Sequence, residues 1–215
     1  NYSINPWMDV NNGADTNKAT EQWNELYSKI QELDAEIELV KPISGLPDMV
    51  FTANAALILK NGNVIVSKFT HPERVGEEQY FIEWFKDNGF NCTQPSTSFE
   101  GAGDALYLGD NLIGGYGFRT DPDVYLNLTN LVVRLVNPYF YHLDTCFCPL
   151  NEMDYMIFPG AFDQISLDII RSLGGSEIAV PENEAKLFAC NAVKIGNNVI
   201  LPAGCPTTMQ LLKDK

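Results

Sequence analysis

The sequence predicts an α/β fold made of a repeated strand, strand, helix, strand unit set around an axis. Three observations predict it. Four apolar runs are each broken once by a short polar turn: Met49–Ser67 around Asn61-Gly62, Ala105–Gly115 around Gly109-Asp110-Asn111, Cys146–Pro159 around Asn151–Asp154, and Ala192–Pro202 around Gly196-Asn197-Asn198. That is hairpin chemistry, because Asn, Asp and Gly tolerate the positive φ of tight hairpin turns. The turns begin at 61, 109, 151 and 196, so they recur after 48, 42 and 45 residues, a spacing typical of radially repeated folds. Between the hairpins lie helix signals, most of them followed by an extended apolar stretch.

The elements follow in order. Asp15 or Thr16 caps a first helix that carries Ala19, Trp23, Leu26, Tyr27, Ile30 and Leu33 on one stripe, before an extended Glu36–Val40. After the first hairpin, Glu77-Glu78 open a helix with Phe81, Trp84 and Phe85; Gly89 ends it and Phe90–Cys92 is extended. After the second, Asp123–Leu131 has the poorest helical pattern of the set and precedes an extended Val132–Val136. After the third, Phe162–Leu173 carries Ile165, Ile169, Ile170 and Leu173 before Gly174-Gly175, and Glu177–Val180 is extended. Pro206 suits the first turn of a last helix with Met209 and Leu212. Residues 1–5 resemble the close of a hairpin whose opening strand is absent, and no strand follows the last helix. The expectation is a single domain, 1–215, incomplete at both ends and missing the closing C-terminal strand of its ring.

Composition narrows the function classes. The 215 residues are 45% hydrophobic and 20% charged, ordinary for a globular protein. Lys and Arg number 14 against 28 Asp and Glu, a net charge of −14, which repels phosphate backbones and argues against a nucleic-acid partner. No apolar stretch reaches the roughly 18 residues of a membrane span, and no signal peptide is visible. Most of the five cysteines lie in apolar strands, as reduced thiols of a cytoplasmic protein do. Cys146-Phe147-Cys148 lacks the C-x-x-C spacing of a zinc or redox site, so no metal is expected there. No stripe marks an oligomer interface, and a homo-oligomer stays open.

Polar groups near the mouth of each first strand carry the chemistry: Asn54, Glu100 with Asp104, His142 with Asp144, and Asn191. A rotationally repeated hairpin would bring them to one place. Read as a strand, His142 and Asp144 share a face about 7 Å apart, an imidazole and a carboxylate offered to one ligand. Glu100-Gly-Ala-Gly103-Asp104 sets two carboxylates beside three small residues, which allow close approach of a ligand. A carboxylate suits a planar guanidinium. Arg74 and Arg119 follow the second strands of consecutive hairpins and could clamp a carboxylate from one rim. The other histidine, His71, reads as a structural loop residue. Each of these residues also has a plain structural reading, as a hydrogen-bonded core pair, a solvated acid or a surface arginine.

Together they resemble the guanidino-group-modifying superfamily, the penteins, over essentially the whole chain. His142-Leu143-Asp144-Thr145 with an aromatic at 147 is similar to the deiminases' His-x-Asp strand. Glu100-Gly-Ala-Gly-Asp104 resembles their Glu-Gly-Gly-Asp or Asn segment with one residue inserted. Leu46-Pro47-Asp48-Met49-Val50-Phe51 resembles the Pro-Asp-x-x-Phe segment of the dimethylarginine dimethylaminohydrolases. Those enzymes place an Asp six residues later, where this chain has Asn54. Asn54, with Asn5-Pro6-Trp7-Met8 and Tyr141–Pro149, is more similar to the arginine dihydrolases, whose cyanobacterial members can carry a fused further domain.

The resemblance implies a five-bladed α/β propeller and a cofactor-free hydrolase that turns L-arginine into ornithine, carbon dioxide and two ammonia through a covalent Cys intermediate. Carried over, His142 is the general acid and base, Asp104 or Glu100 the catalytic carboxylate, and Asp144 a guanidinium holder. Arg74 and Arg119 hold the substrate's carboxylate, and Asn5 and Asn54 line the pocket. The family's nucleophile lies near the C-terminus beyond the last helix. Cys205 is the nearest candidate, its place before a helix favouring a thiolate, but the expectation is a cysteine beyond Lys215. The alternatives are an arginine deiminase giving citrulline, a methylarginine hydrolase, and an inactive arginine-binding module without its cysteine.

Overall fold

A computed structural model of the chain describes residues 2–11 and 13–215. All four expected hairpins are present as antiparallel pairs. The first sheet joins β1 (Ala56–Ile58) and β2 (Val64–Val66), with β3 (Cys92–Thr93) parallel to β2. The second joins β4 (Ala105–Leu108) and β5 (Asn111–Tyr116), with β6 (Leu131–Arg134) parallel to β5. The third joins β7 (Phe147–Pro149) and β8 (Tyr155–Ile157), with β9 (Glu177–Ala179) parallel to β8. The fourth is the two-stranded pair β10 (Val193–Ile195) and β11 (Asn198–Ile200). No closed sheet links them among the described residues.

The helices fall where their caps put them. The Asp15 carboxylate accepts from Asn17 N and Lys18 N at the start of α1 (Thr16–Glu32). A short α2 (Pro72–Val75) leads into α3 (Glu78–Asp87), and the chain then turns at Gly89 with φ +81°. Asp163 caps α4 (Gln164–Ser172), a short α5 (Glu182–Ala185) follows, and α6 (Pro206–Lys213) begins at Pro206. None of these helices is long and apolar enough to cross a membrane.

Several expectations are corrected. Asp123–Leu131 is not an α-helix: it holds a 3₁₀ turn, Pro122–Tyr125, started by Asp121 and held by the Tyr125 hydroxyl, which donates to Asp104 O (2.8 Å) and Gly115 O (3.0 Å). Glu36–Val40 forms no strand. Residues 2–4 form no strand either, and residue 1 lies outside the described residues. No residue of α1 is buried, so its apolar stripe is not packed into the core.

The largest core cluster runs from Leu108 and Ile113 through Phe147, Met156 and Ile157 to Ile170, Ile178 and Cys190. It packs α4 and the strands of the third sheet against β6. Burying each of its large side chains contributes about 1.5–3 kcal/mol. Smaller clusters sit under α3, around Val64, Val66 and Phe81, and between the first two sheets, around Phe99 and Tyr125.

Candidate active site

Three first strands are each entered from a short 3₁₀ turn, Thr52–Asn54, Gly101–Gly103 and Leu143–Thr145, the first of them following another at Pro47–Val50. The candidate residues sit on these turns. Asn54 closes the first, Glu100 and Asp104 flank the second, and His142 opens the third. This corrects the strand reading of His142 and Asp144, because the chain coils between them. The Thr145 hydroxyl donates to His142 O (2.6 Å), and Leu143 N–H donates to Asp104 Oδ1 (3.1 Å).

His142, 4% exposed, is bracketed by two carboxylates. Its Nε2 lies 3.2 Å from Glu100 Oε2, and its Nδ1 lies 3.2 Å from Asp104 Oδ2, the latter without hydrogen-bond alignment. Burial alone would lower the imidazole pKa. The adjacent Asp104 and Glu100 overrule it and push it up to about 10, so His142 is an imidazolium near neutrality. Burial would raise Glu100, but the proximity of His142, Arg119 and Arg74 holds it down to about 2. Arg119 Nη1 lies 3.3 Å from Glu100 Oε2. Thr120 ties the acids together: its hydroxyl donates to Asp104 Oδ2 (2.7 Å) and accepts from Glu100 N–H (3.1 Å).

Asn54 completes the group, with Nδ2 3.5 Å from both Glu100 O and His142 Nε2. Gly103 makes room for it, since a Cβ there would sit 2.1 Å from that nitrogen. Asp144 is partly buried beside the cluster; burial and the charge of Asp104 outweigh the pull of His142 and raise its pKa to about 7. Asn191 Nδ2 donates to Asp144 O (3.2 Å). Asn5 is not joined to His142: its Oδ1 accepts from Trp7 N–H (2.9 Å). The neighbouring Ile4 O, however, accepts from Arg119 Nη2 (2.8 Å).

The two arginines differ. Arg119 caps the face of the Tyr141 ring at 4.7 Å and lines an open hollow of about 710 Å³ with Thr120, Tyr116 and Arg134. Glu100, Asp104 and His142 do not line that hollow. Arg74, 2% exposed, is occupied: it pairs with Glu77 through Nε (3.1 Å) and Nη2 (2.8 Å), donates from Nη1 to Asn54 Oδ1 (3.0 Å), and donates from Nη2 to Asp48 O (3.1 Å). In this arrangement it supports the site and does not face an opening, unlike the rim clamp expected of it.

Sequence reasoning missed Glu77, Thr120 and, as a site residue, Asp48. The buried Asp48 carboxylate accepts from the Tyr2 hydroxyl (2.9 Å). Glu77 was signalled only by its i, i+3 spacing from Arg74, and nothing in the sequence marks Thr120. Three buried carboxylates (Glu77, Glu100, Asp104) face three buried cations (Arg74, Arg119, His142).

The cysteines offer no ready thiolate. Burial pushes Cys146 well above its ordinary value and Cys148 up to about 11, and it also raises Cys92 and Cys190. Cys205 is raised as well, against the expectation from its place before α6. Glu184 takes that helix N-terminus, accepting from Thr207 N (2.9 Å), Thr208 N (2.8 Å) and the Thr208 hydroxyl (2.6 Å), so Cys205 faces burial and a carboxylate. Among the described residues no group of three His, Cys, Asp or Glu could hold a metal.

A histidine between two acids, beside an amide and two arginines, fits a guanidinium site, and comparison with known proteins decides the family. Residues 1–113 match the family described as N,N dimethylarginine dimethylhydrolase, eukaryotic. The N(G),N(G)-dimethylarginine dimethylaminohydrolase of Mycobacterium tuberculosis is 38% identical over 207 residues, covering 94% of this chain and 68% of that protein. The chain belongs to the dimethylarginine dimethylaminohydrolase family. Within the pentein superfamily it is similar also to the bifunctional arginine dihydrolase/ornithine cyclodeaminase AgrE of Nostoc sp., 45% identical over 213 residues. That match covers 93% of this chain and 30% of AgrE, so the chain spans under a third of that relative's length. A crystal structure of the N-terminal domain of ArgZ, a cyanobacterial arginine dihydrolase, in a cysteine-to-serine form bound to substrate, superposes with a TM-score of 0.93. It is 42% identical, over 99% of this chain and 83% of that one.

Proposed function

We propose that this protein is an arginine dihydrolase. L-arginine and two waters give ornithine, carbon dioxide and two ammonia through a thiolate adduct at the guanidinium carbon. Residues 1–215 form one catalytic domain in this reading, and the four sheets are blades of a five-bladed α/β propeller. The observation that carries it is His142 held between Glu100 and Asp104 with Asn54 beside it.

The geometry supports the following roles. As an imidazolium, His142 can protonate the departing ammonia; once neutral, it can take a proton from the attacking water. Asp104 accepts from Leu143 N–H and the Thr120 hydroxyl and lies 3.2 Å from His142 Nδ1, a charge contact that suits holding the ring in place. Glu100 is the carboxylate that polarises the guanidinium, and Asp144 binds its nitrogens. Arg119 is the better placed arginine for the substrate's carboxylate, because Arg74 is occupied. Asn5 and Asn54 complete the pocket wall.

Family membership alone fits a methylarginine hydrolase equally well. Asn54, standing where dimethylarginine enzymes resemble one another in having Asp, favours the dihydrolase. A neutral amide grips the guanidinium less firmly, leaving the intermediate open to a second water. Replacing Asn54→Asp tests this: ornithine should fall and citrulline rise. An unchanged ratio refutes the assignment of Asn54. Mapping the arginine-derived adduct on the protein by mass spectrometry identifies the thiol.

A further inference from the structure

We propose that the buried Arg74–Glu77 pair is a positioning device for Asn54, fixing its amide with the NH2 turned toward His142 so that the intermediate is hydrolysed a second time. The inference rests on the dihydrolase reading above. It starts from a donor-acceptor argument. A guanidinium has only donors, so the Asn54 atom 3.0 Å from Arg74 Nη1 must be the carbonyl oxygen. The NH2 then points inward, where Glu100 O at 3.5 Å can accept from it; His142 Nε2, also 3.5 Å away, carries a proton while the ring is an imidazolium and can accept only once the ring is neutral.

Arg74 cannot swing away easily. Glu77 takes it side-on through Nε and Nη2, Asp48 O accepts from Nη2, and the Phe69 ring lies 4.2 Å from its guanidinium carbon. A bidentate pair fixes the guanidinium plane as well as its position. The side chains of Arg74 and Glu77 are 3% and 0% exposed. Such a pair is not an efficient way to stabilise a core, since apolar residues of similar volume often do as well. What this pair does that apolar residues would not do is choose the face of the Asn54 amide.

That choice has a chemical consequence. An inward NH2 cannot accept a proton from the guanidinium, so it does not compete with Glu100 and Asp144 for the substrate. It can donate to an oxygen near the reacting carbon. One water and loss of one ammonia give citrulline. A second water at the same carbon gives ornithine, carbon dioxide and a second ammonia. An oriented donor for the added oxygen favours that second step. Arg74 and Glu77 are positioning residues here, acting through Asn54.

The test is the ratio of ornithine to citrulline formed from L-arginine by the full-length protein. Glu77→Gln and Arg74→Lys should each lower that ratio about tenfold, as expected when a hydrogen bond to a charged group is lost. In an Asn54→Asp background, where the side chain has no amide to orient, Glu77→Gln should leave the ratio unchanged. A merely structural pair would lower the melting temperature and total turnover while keeping the wild-type ratio, and that result overturns the inference with the dihydrolase reading intact. Citrulline alone from the wild type overturns both. If Glu77→Gln does not fold, Arg74→Lys reads the same ratio, and the Asn54 side-chain NH2 resonances in the wild type supply a second check. A cross-peak from them to the His142 ring supports the orientation; its absence, with a cross-peak to Phe69 instead, overturns it.

Discussion

Glu100 Oε2 is shared: it lies 3.2 Å from His142 Nε2, 3.3 Å from Arg119 Nη1 and 3.9 Å from Arg74 Nη1. One fully buried carboxylate oxygen thus answers three cations. Replacing Glu100→Gln leaves those charges under-compensated in the interior. We expect a loss of about 3–5 kcal/mol of stability, the cost of removing one partner from a buried pair, together with loss of turnover. Urea unfolding checks the first. A stability change under about 1 kcal/mol would show the three cations to be satisfied elsewhere.

His142→Asn keeps a polar side chain of smaller reach and removes the titrating ring. Turnover of L-arginine should fall by about 10²–10⁴, the contribution of a general acid and base. Substrate binding, read by thermal shift, should largely persist, because Glu100 and Asp144 remain.

The His142 proton is held more tightly in the folded protein than in the unfolded chain, with the pKa raised from 6.5 to about 10. Its stabilisation is therefore complete below about 6.5 and is lost as pH rises toward about 10. The wild type should lose melting temperature across that window more steeply than His142→Asn. Parallel curves would show that the ring carries no extra proton.

Asp144, raised to about 7, titrates near neutrality. Its ionised form suits a guanidinium, so L-arginine affinity should increase as pH rises through about 7. Asp144→Asn should flatten that dependence. Calorimetric titration at three pH values decides it.

Gly103→Ala places a Cβ against Asn54 Nδ2. The amide must move, and a displacement of about 1 Å in a reacting site costs about 10²-fold in rate. The melting temperature should fall modestly, with about 1–3 kcal/mol of overpacking strain. Undiminished turnover would mean that Asn54 is not at the reacting centre.

The hairpins were legible because alternation and Asn/Gly turns are local signals, as at Asn61-Gly62 and Gly109-Asp110. The helix starts at Asp15 and Pro206 are legible for the same reason, whereas the cap at Asp163 shows only in the structure. The convergence of Asn54, Glu100, Asp104 and His142 followed from the repeat, since equivalent points on successive units meet. What failed was local geometry hidden by apolar residues. The 3₁₀ turn Leu143–Thr145 looks like strand, and only its contact to Asp104 makes it coil. Asp123–Leu131 is governed by Tyr125 reaching across to Asp104 and Gly115, a tertiary bond with no local trace. Its position in the repeat puts Arg74 on a rim, while Glu77 and Asn54 draw it inside. The helix start after Cys205 suggests a lowered thiol pKa, but Glu184, distant in sequence, occupies that helix start and burial raises the thiol.

The most direct measurement is product analysis by mass spectrometry after incubating the full-length protein with L-arginine without added metal, with ammonia counted in parallel. A dihydrolase gives ornithine and two ammonia per arginine consumed. Citrulline with one ammonia per arginine contradicts it and makes the protein a deiminase.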